Sequence, residues 1–283
     1  MAAIYSPSHH GFGSAMHLHD RCQVALLREL SMQGGGRLVL KGGMAMRVSV
    51  GSLRLTKDID FDADESLSLQ SLKNTLETGL QRAAINCRLK GTVIDFTKEG
   101  RGTTRARLVG NTQSGESLRF EVEVSRRPSL FKAGIQSVTV APPASYAMAP
   151  FEANVYRNEV LCVMKIAAAL SANREAERDL YDLYDLSLLG TDPGEVLSLQ
   201  DEDTLRQWAV DPLGKLSKLT FKGAAQNLLP YIPPLARTAI DEDRWVFMTL
   251  TIAEKIEQWC DEALAHKHSP SDERLPLPPG AGG

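Results

Sequence analysis

The chain has 283 residues, enough for roughly two domains at the usual 100 to 200 residues each. Hydrophobic residues make up 43% and charged residues 24%, which excludes a disordered, collagen-like or disulfide-scaffold protein. With 32 Lys and Arg against 35 Asp and Glu the formal charge is −3, so no global basic field exists and any polyanion contact is local.

Residues 1–15 are rich in Ser, His and Gly and are expected to be loose, as is the Pro- and Gly-rich tail 269–283. Between them, Val24, Leu27 and Leu30 give residues 16–32 a helical period, and 37–41 reads as a short strand. Gly42 and Gly43 break the pattern, and a helix can begin over 44–50. Residues 57–61 alternate as a second strand, with Ile59 and Phe61 on one face and acids on the other. An amphipathic helix follows over 67–87, then strands over 92–96, 103–109, 118–124 and 136–140. After the break at Pro142 and Pro143 the chain turns helical, with long segments near 158–171, 175–189, 201–210 and 241–266. The expected plan is α+β: a sheet-bearing domain over 16–145 with a small mixed sheet, then a helical domain over 146–268.

The four cysteines, Cys22, Cys87, Cys162 and Cys260, form no CxxC pair and are expected as buried thiols in a reducing cytosol. All six histidines (His9, His10, His17, His19, His266 and His268) lie towards the ends, which argues against histidine-dependent catalysis. The most apolar window, 160–172, is interrupted by Lys165 and is too short to span a bilayer, so a cytoplasmic location without membrane contact is expected.

Four motifs can carry chemistry. Lys41-Gly42-Gly43, between a strand and a helix, suits close backbone approach to a phosphate, and equally a plain turn. Asp58 and Asp60 project from one strand face about 7 Å apart, a spacing with which two carboxylates grip Mg²⁺. Asp62 to Glu65 reads instead as a solvated acidic loop. Glu121 and Glu123 share one face of the strand 118–124; next to the Asp58 strand they supply a third carboxylate, and elsewhere an exposed face. Lys165, in apolar surroundings, either reaches solvent or meets an anion. Downstream, Arg174, Arg178, Asp179, Asp182 and Asp185 share one helix side, and the interleaved Tyr181, Leu183, Tyr184 and Leu186 put part of that charge at an interface.

The succession KGG-M-A-M-R (41–47), R-x-T-x-DIDFD (54–62), FEVEVS (120–125), Lys165 and R-x-x-x-RDLYDLYDL (174–186) resembles the AbiEii/AbiGii toxin family of polymerase-beta-like nucleotidyltransferases over residues 35–190. The resemblance implies a nucleotidyltransferase core and transfer of NMP from an NTP to a hydroxyl. It implies Mg²⁺ on Asp58, Asp60 and Glu123, or Glu121 in its stead, and nucleotide phosphates on Gly42 and Gly43 beside Lys41. Lys165 would contact the triphosphate, Asp179 or Asp182 would be the acid of the last motif, and Arg47, Arg54 and Thr56 would border the nucleotide. Where the family commonly carries Thr or Ser after the glycine pair, Met44 stands here. The resemblance further implies an RNA acceptor, the 3′ end of tRNA, a cognate antitoxin and a toxin or phage-defence role. Arg101, Arg105, Arg107, Arg119, Arg126, Arg127 and Lys132 can track such an RNA backbone or form a solvated basic face. A protein or small-molecule acceptor, and an inactive nucleotide- or partner-binding module, are the alternatives.

Overall fold

The computed structural model of the chain describes residues 2–100, 102–126, 134–171 and 175–268. Arg101, Arg127, Lys132, Arg174 and the tail 269–283 lie outside the described residues.

Strand β1 (Ala2–Ala3) opens the chain and pairs in parallel with β7 (Ile135–Ala141). Ile4 and Phe12 are buried, so the N-terminal residues expected to be loose are held by a strand pairing and two apolar anchors. Helix α1 (Ser14–Gln33) buries Val24, Leu27 and Leu30 as their spacing predicts, and it carries His17 and His19 into the body of the fold. After β2 (Leu38–Lys41), Gly42 at φ +66° turns the chain into the short helix α2 (Gly42–Ala45). That helix continues as a π-helical turn, Met46–Val50, closed by Gly51 at φ +73°.

Strand β3 (Asp58–Ala63) alternates as expected, with Ile59 and Phe61 buried and Asp58, Asp60 and Asp62 on the other face. Asp62 is thus a strand residue, not part of a solvated loop: it pairs with Lys41 and accepts from Tyr156 Oη at 2.9 Å. Helix α3 (Leu69–Asn86) starts at Ser68, whose hydroxyl caps the Ser71 N–H, and packs on α1. Strands β4 (Lys90–Glu99), β5 (Thr103–Asn111) and β6 (Ser117–Ser125) follow as a meander. Strand β8 (Phe151–Tyr156) then completes an eight-stranded mixed sheet in the order β1-β7-β8-β2-β3-β6-β5-β4. The sheet therefore runs past the expected boundary at 145, because Phe151, Ala153 and Val155 alternate inward and seal β2 on its outer side.

The helical part begins with α4 (Asn158–Ala169) and α5 (Glu177–Leu188). Short helices α6 (Gly194–Leu197), α7 (Glu202–Ala209), α8 (Pro212–Leu216), α9 (Phe221–Asn227) and α10 (Pro234–Arg237) lead to the long α11 (Glu242–His268). Helix α11 packs across α5, α7 and α8, and Trp245 Nε1 donates to the Leu219 carbonyl at 2.6 Å. The fold class is α+β, as expected. Buried side chains from the sheet and from the helical part belong to one contiguous cluster. Among the described residues no helix is long and apolar enough to cross a membrane.

Candidate active site

The register of three strands assembles the acids. Lys41 on β2 stands opposite Asp60 on β3, and Asp60 stands opposite Glu123 on β6. Asp58 pairs with Glu121 two residues earlier, so all four acids share one sheet face. Helices α4 and α5 face that sheet, and between them lies a cavity of about 460 Å³. Its wall includes Lys41, Gly42, Gly43, Arg54, Thr56, Asp58, Asp60, Glu123, Lys165 and Asp179 from the expected set.

At the glycine pair a side chain has no room. A Cβ on Gly42 would overlap Asp60 Oδ2, and one on Gly43 would lie 2.7 Å from Arg54 Nη2 and 2.8 Å from Thr56 Oγ1. Close backbone approach to Asp60 at Gly42, and to Arg54 and Thr56 at Gly43, thus calls for glycine at both positions. Met44 is fully buried in the core. The hydroxyl on the cavity wall is that of Thr56, which donates to the Asp58 carbonyl at 2.9 Å.

Burial pushes the Asp60 carboxyl up to about 6, with Lys41 opposing and the charges of Asp58 and Glu123 reinforcing the shift. Burial also raises Asp58, against the charge of Lys57 and with that of Glu121. Two crowded carboxylates held away from water favour either a proton or a cation. Among the described residues no group of three or more His, Cys, Asp or Glu side chains is gathered to hold a metal. Glu123 is engaged by Arg105, which donates to it from Nε at 2.9 Å and from Nη2. Asp58 and Asp60 nevertheless fit Mg²⁺, which commonly takes one or two carboxylates and completes its shell with phosphate oxygens and water. Glu121 is not on the cavity wall; Arg107 and Arg119 hold it at 2.8 and 2.6 Å.

Opposite the sheet, Lys165 Nζ bonds Asp179 Oδ1 at 2.7 Å and Asp182 Oδ2 at 2.6 Å. Burial disfavours its ammonium, but Asp179 and Asp182 outweigh that and raise its pKa. Asp182 is fully buried behind the wall, where Arg54 grips it from Nε at 2.8 Å and Nη2 at 2.7 Å. Burial alone would raise the Asp182 carboxyl; Arg54 and Lys165 hold it below its ordinary range. Of the two candidates for the acid of the last motif, Asp179 reaches the cavity and Asp182 supports it from behind.

Arg47, like Asp182, is an expected site residue that does not line the cavity. It is buried, pairs with Asp20, donates to the Tyr5 carbonyl at 3.3 Å and lies over the Tyr5 ring. The helix that carries it turns its side chain away from the glycine pair into α1, so it serves the core and not a phosphate. Conversely, Arg105 and Arg178 line the cavity, although the sequence reads the first as an RNA-tracking or solvated basic residue and the second as part of a charged helix side. Asp185 is held by Ser52 Oγ at 3.0 Å, and burial pushes its carboxyl up to about 6. Burial likewise lowers His19, which the charges of Asp20 and Asp58 oppose.

A family model described as "Nucleotidyl transferase AbiEii toxin, Type IV TA system" matches residues 25–263. No curated protein matches the chain. Among solved structures, JHP933 from Helicobacter pylori aligns with a TM-score of 0.58 at 16% identity, over 91% of this chain and 97% of that one. A second Helicobacter pylori structure gives the same TM-score of 0.58 and 16% identity, over 89% and 98%. MenT4, a nucleotidyltransferase toxin of Mycobacterium tuberculosis, aligns at 0.49 and 18% identity, over 89% and 93%. The two Helicobacter likenesses support the fold alone.

Proposed function

The chain belongs to the AbiEii family of type IV toxin–antitoxin nucleotidyltransferases and is itself a nucleotidyltransferase; from this premise we propose that it moves NMP from an NTP to the 3′ end of tRNA, with Mg²⁺. The observation that carries the reading is the pair Asp58 and Asp60 directly beneath the side-chain-free turn Gly42–Gly43. In the reaction, the acceptor hydroxyl oxygen bonds to the α-phosphorus, the bond from that phosphorus to the bridging oxygen breaks, and pyrophosphate leaves. Bound at Asp58 and Asp60, Mg²⁺ would neutralise phosphate charge and stabilise the attacking and leaving oxygens.

The chain's own groups do the rest. The backbone at Gly42 and Gly43 admits the phosphates, with Lys41 and Thr56 at the border. Glu123, opposite Asp60, takes the proton of the attacking hydroxyl once Arg105 releases it. Lys165 turns a donor to the triphosphate while Asp179 and Asp182 fix its ammonium, and Arg54 holds Asp182. Positioning and electrostatics supply most of the rate in such a reaction. The biological role is that of a cytoplasmic toxin that blocks translation, with a cognate antitoxin as its counterpart, in phage defence.

Incubation of the purified protein with each labelled NTP and total RNA, with and without Mg²⁺, tests the reading. Mg²⁺-dependent label on tRNA is the expected result. Label on protein or on a small molecule moves the acceptor, and no transfer by the folded protein overturns the reading.

A further inference from the structure

Among the described residues five cationic side chains line the cavity: Lys41, Arg54, Arg105, Lys165 and Arg178. Four of them are committed to acids, Lys41 to Asp62, Arg54 to Asp182, Arg105 to Glu123, and Lys165 to Asp179 and Asp182. Arg178 differs. Among the described residues no carboxylate forms an ion pair with it, and its guanidinium lies over the Tyr231 ring, 5.9 Å from the centroid. The Tyr231 backbone is itself anchored to the site, because its carbonyl accepts from the Leu55 N–H at 2.8 Å. An aromatic face supports a guanidinium without neutralising it, and although the Arg178 charge acts at a distance on Asp58, its N–H donors remain available to an incoming anion.

The incoming nucleotide is the most highly charged partner of this cavity, and its outer phosphates carry most of that charge. A paired cation such as Lys165 meets them with a charge already shared with its acids, whereas Arg178 shares its charge with no ion-pair partner among the described residues. We propose that Arg178 is the residue that grips the β- and γ-phosphates of the nucleoside triphosphate, so that the site favours triphosphate over monophosphate and holds the pyrophosphate as it leaves. The assignment rests on the nucleotidyl-transfer reading and adds to it a determinant of substrate class.

Calorimetric binding of nucleoside mono-, di- and triphosphates to the full chain, with Mg²⁺ and without acceptor, tests the assignment. Wild-type affinity is expected to rise with each added phosphate. Arg178→Gln is expected to weaken triphosphate binding by at least about tenfold and monophosphate binding by less than about twofold, with Arg178→Lys recovering part of the loss. In turnover, KM for NTP rises and KM for the acceptor does not. Tyr231→Leu shifts triphosphate affinity in the same direction by a smaller factor, and Tyr231→Phe does not. Equal weakening for all three nucleotides, or unchanged nucleotide binding with a raised acceptor KM, overturns the proposal. Binding needs no turnover, so wild-type protein that binds triphosphate through Arg178 yet labels nothing would count against the transfer reading alone.

Discussion

Asp182 accepts two parallel hydrogen bonds from Arg54, at 2.8 and 2.7 Å, while Lys165 approaches the same carboxylate at 2.6 Å. The three charges are buried together, and the arrangement links the loop before β3 to α4 and α5. Removing one partner from such a group leaves the others uncompensated, so Asp182→Ala is expected to lower stability by about 3–5 kcal/mol. Asp179→Asn keeps an acceptor for Lys165 and should cost only about 1–3 kcal/mol. Thermal unfolding beside label transfer separates the two: Asp182→Ala loses activity because it loses the fold, and Asp179→Asn loses it while folded.

Asp60 and Asp185 make the protein without a divalent cation less stable as pH rises. Burial lifts both carboxyls from 3.8 to about 6, so the folded state binds their protons more tightly than the unfolded chain does. Their contribution is fully present below pH 3.8 and is lost as pH rises through 6, roughly 3 kcal/mol for each group. Asp182, held below its ordinary range, acts in the opposite sense only at lower pH. The Tm without divalent cation should therefore fall between pH 5 and 8. Asp60→Asn should flatten part of that fall and exceed wild type at pH 8. Added Mg²⁺ should raise the wild-type Tm more at pH 8 than at pH 5, and an equal rise would argue against a cation at Asp60.

Gly42 and Gly51 both adopt positive φ, but only Gly42 faces the acids. Alanine at either position bears the left-handed backbone penalty of about 1–2 kcal/mol. A Cβ on Gly51 meets nothing within 4 Å, whereas one on Gly42 collides with Asp60. Gly42→Ala is therefore expected to abolish label transfer, and Gly51→Ala to lower Tm by a similar increment with activity retained. Parallel melting curves and initial rates check the contrast.

Much of this arrangement is legible in the sequence, for a physical reason. Alternation at Ile59 and Phe61 fixes which face of β3 is buried, and with it the shared face of Asp58 and Asp60. The same alternation is present in Phe151, Ala153 and Val155, but β8 follows a proline break in an otherwise helical region, which hides it. Long-range pairing is not legible. Nothing near Arg47 in the sequence points to Asp20, and nothing near Arg105 points to Glu123. Which of several arginines keeps its charge free depends on contacts between elements far apart in the chain.

Arg47 illustrates the consequence. Its partner Asp20 also accepts from Tyr146 Oη, and all three groups are buried. Arg47→Ala is expected to cost about 3–5 kcal/mol of stability through the stranded carboxylate. At a temperature where the variant remains folded, its KM for NTP should equal that of wild type. A raised KM would return Arg47 to the nucleotide.

Glu123 gives the sharpest separation of chemistry from structure. Its pair with Arg105 is partly solvent-exposed, at 31% and 42% for the two side chains, so the pair contributes at most about 1 kcal/mol to stability. Glu123→Gln should leave the Tm close to wild type. If Glu123 takes the proton of the attacking hydroxyl, the same substitution lowers kcat by about 10²- to 10⁴-fold, with nucleotide affinity retained. Arg105→Gln frees the carboxylate and should leave kcat within a few-fold of wild type. A Glu123→Gln variant that keeps wild-type kcat would reduce Glu123 to a surface partner of Arg105 and leave Asp58 and Asp60 as the only carboxylates of β3 and β6 that the reaction uses.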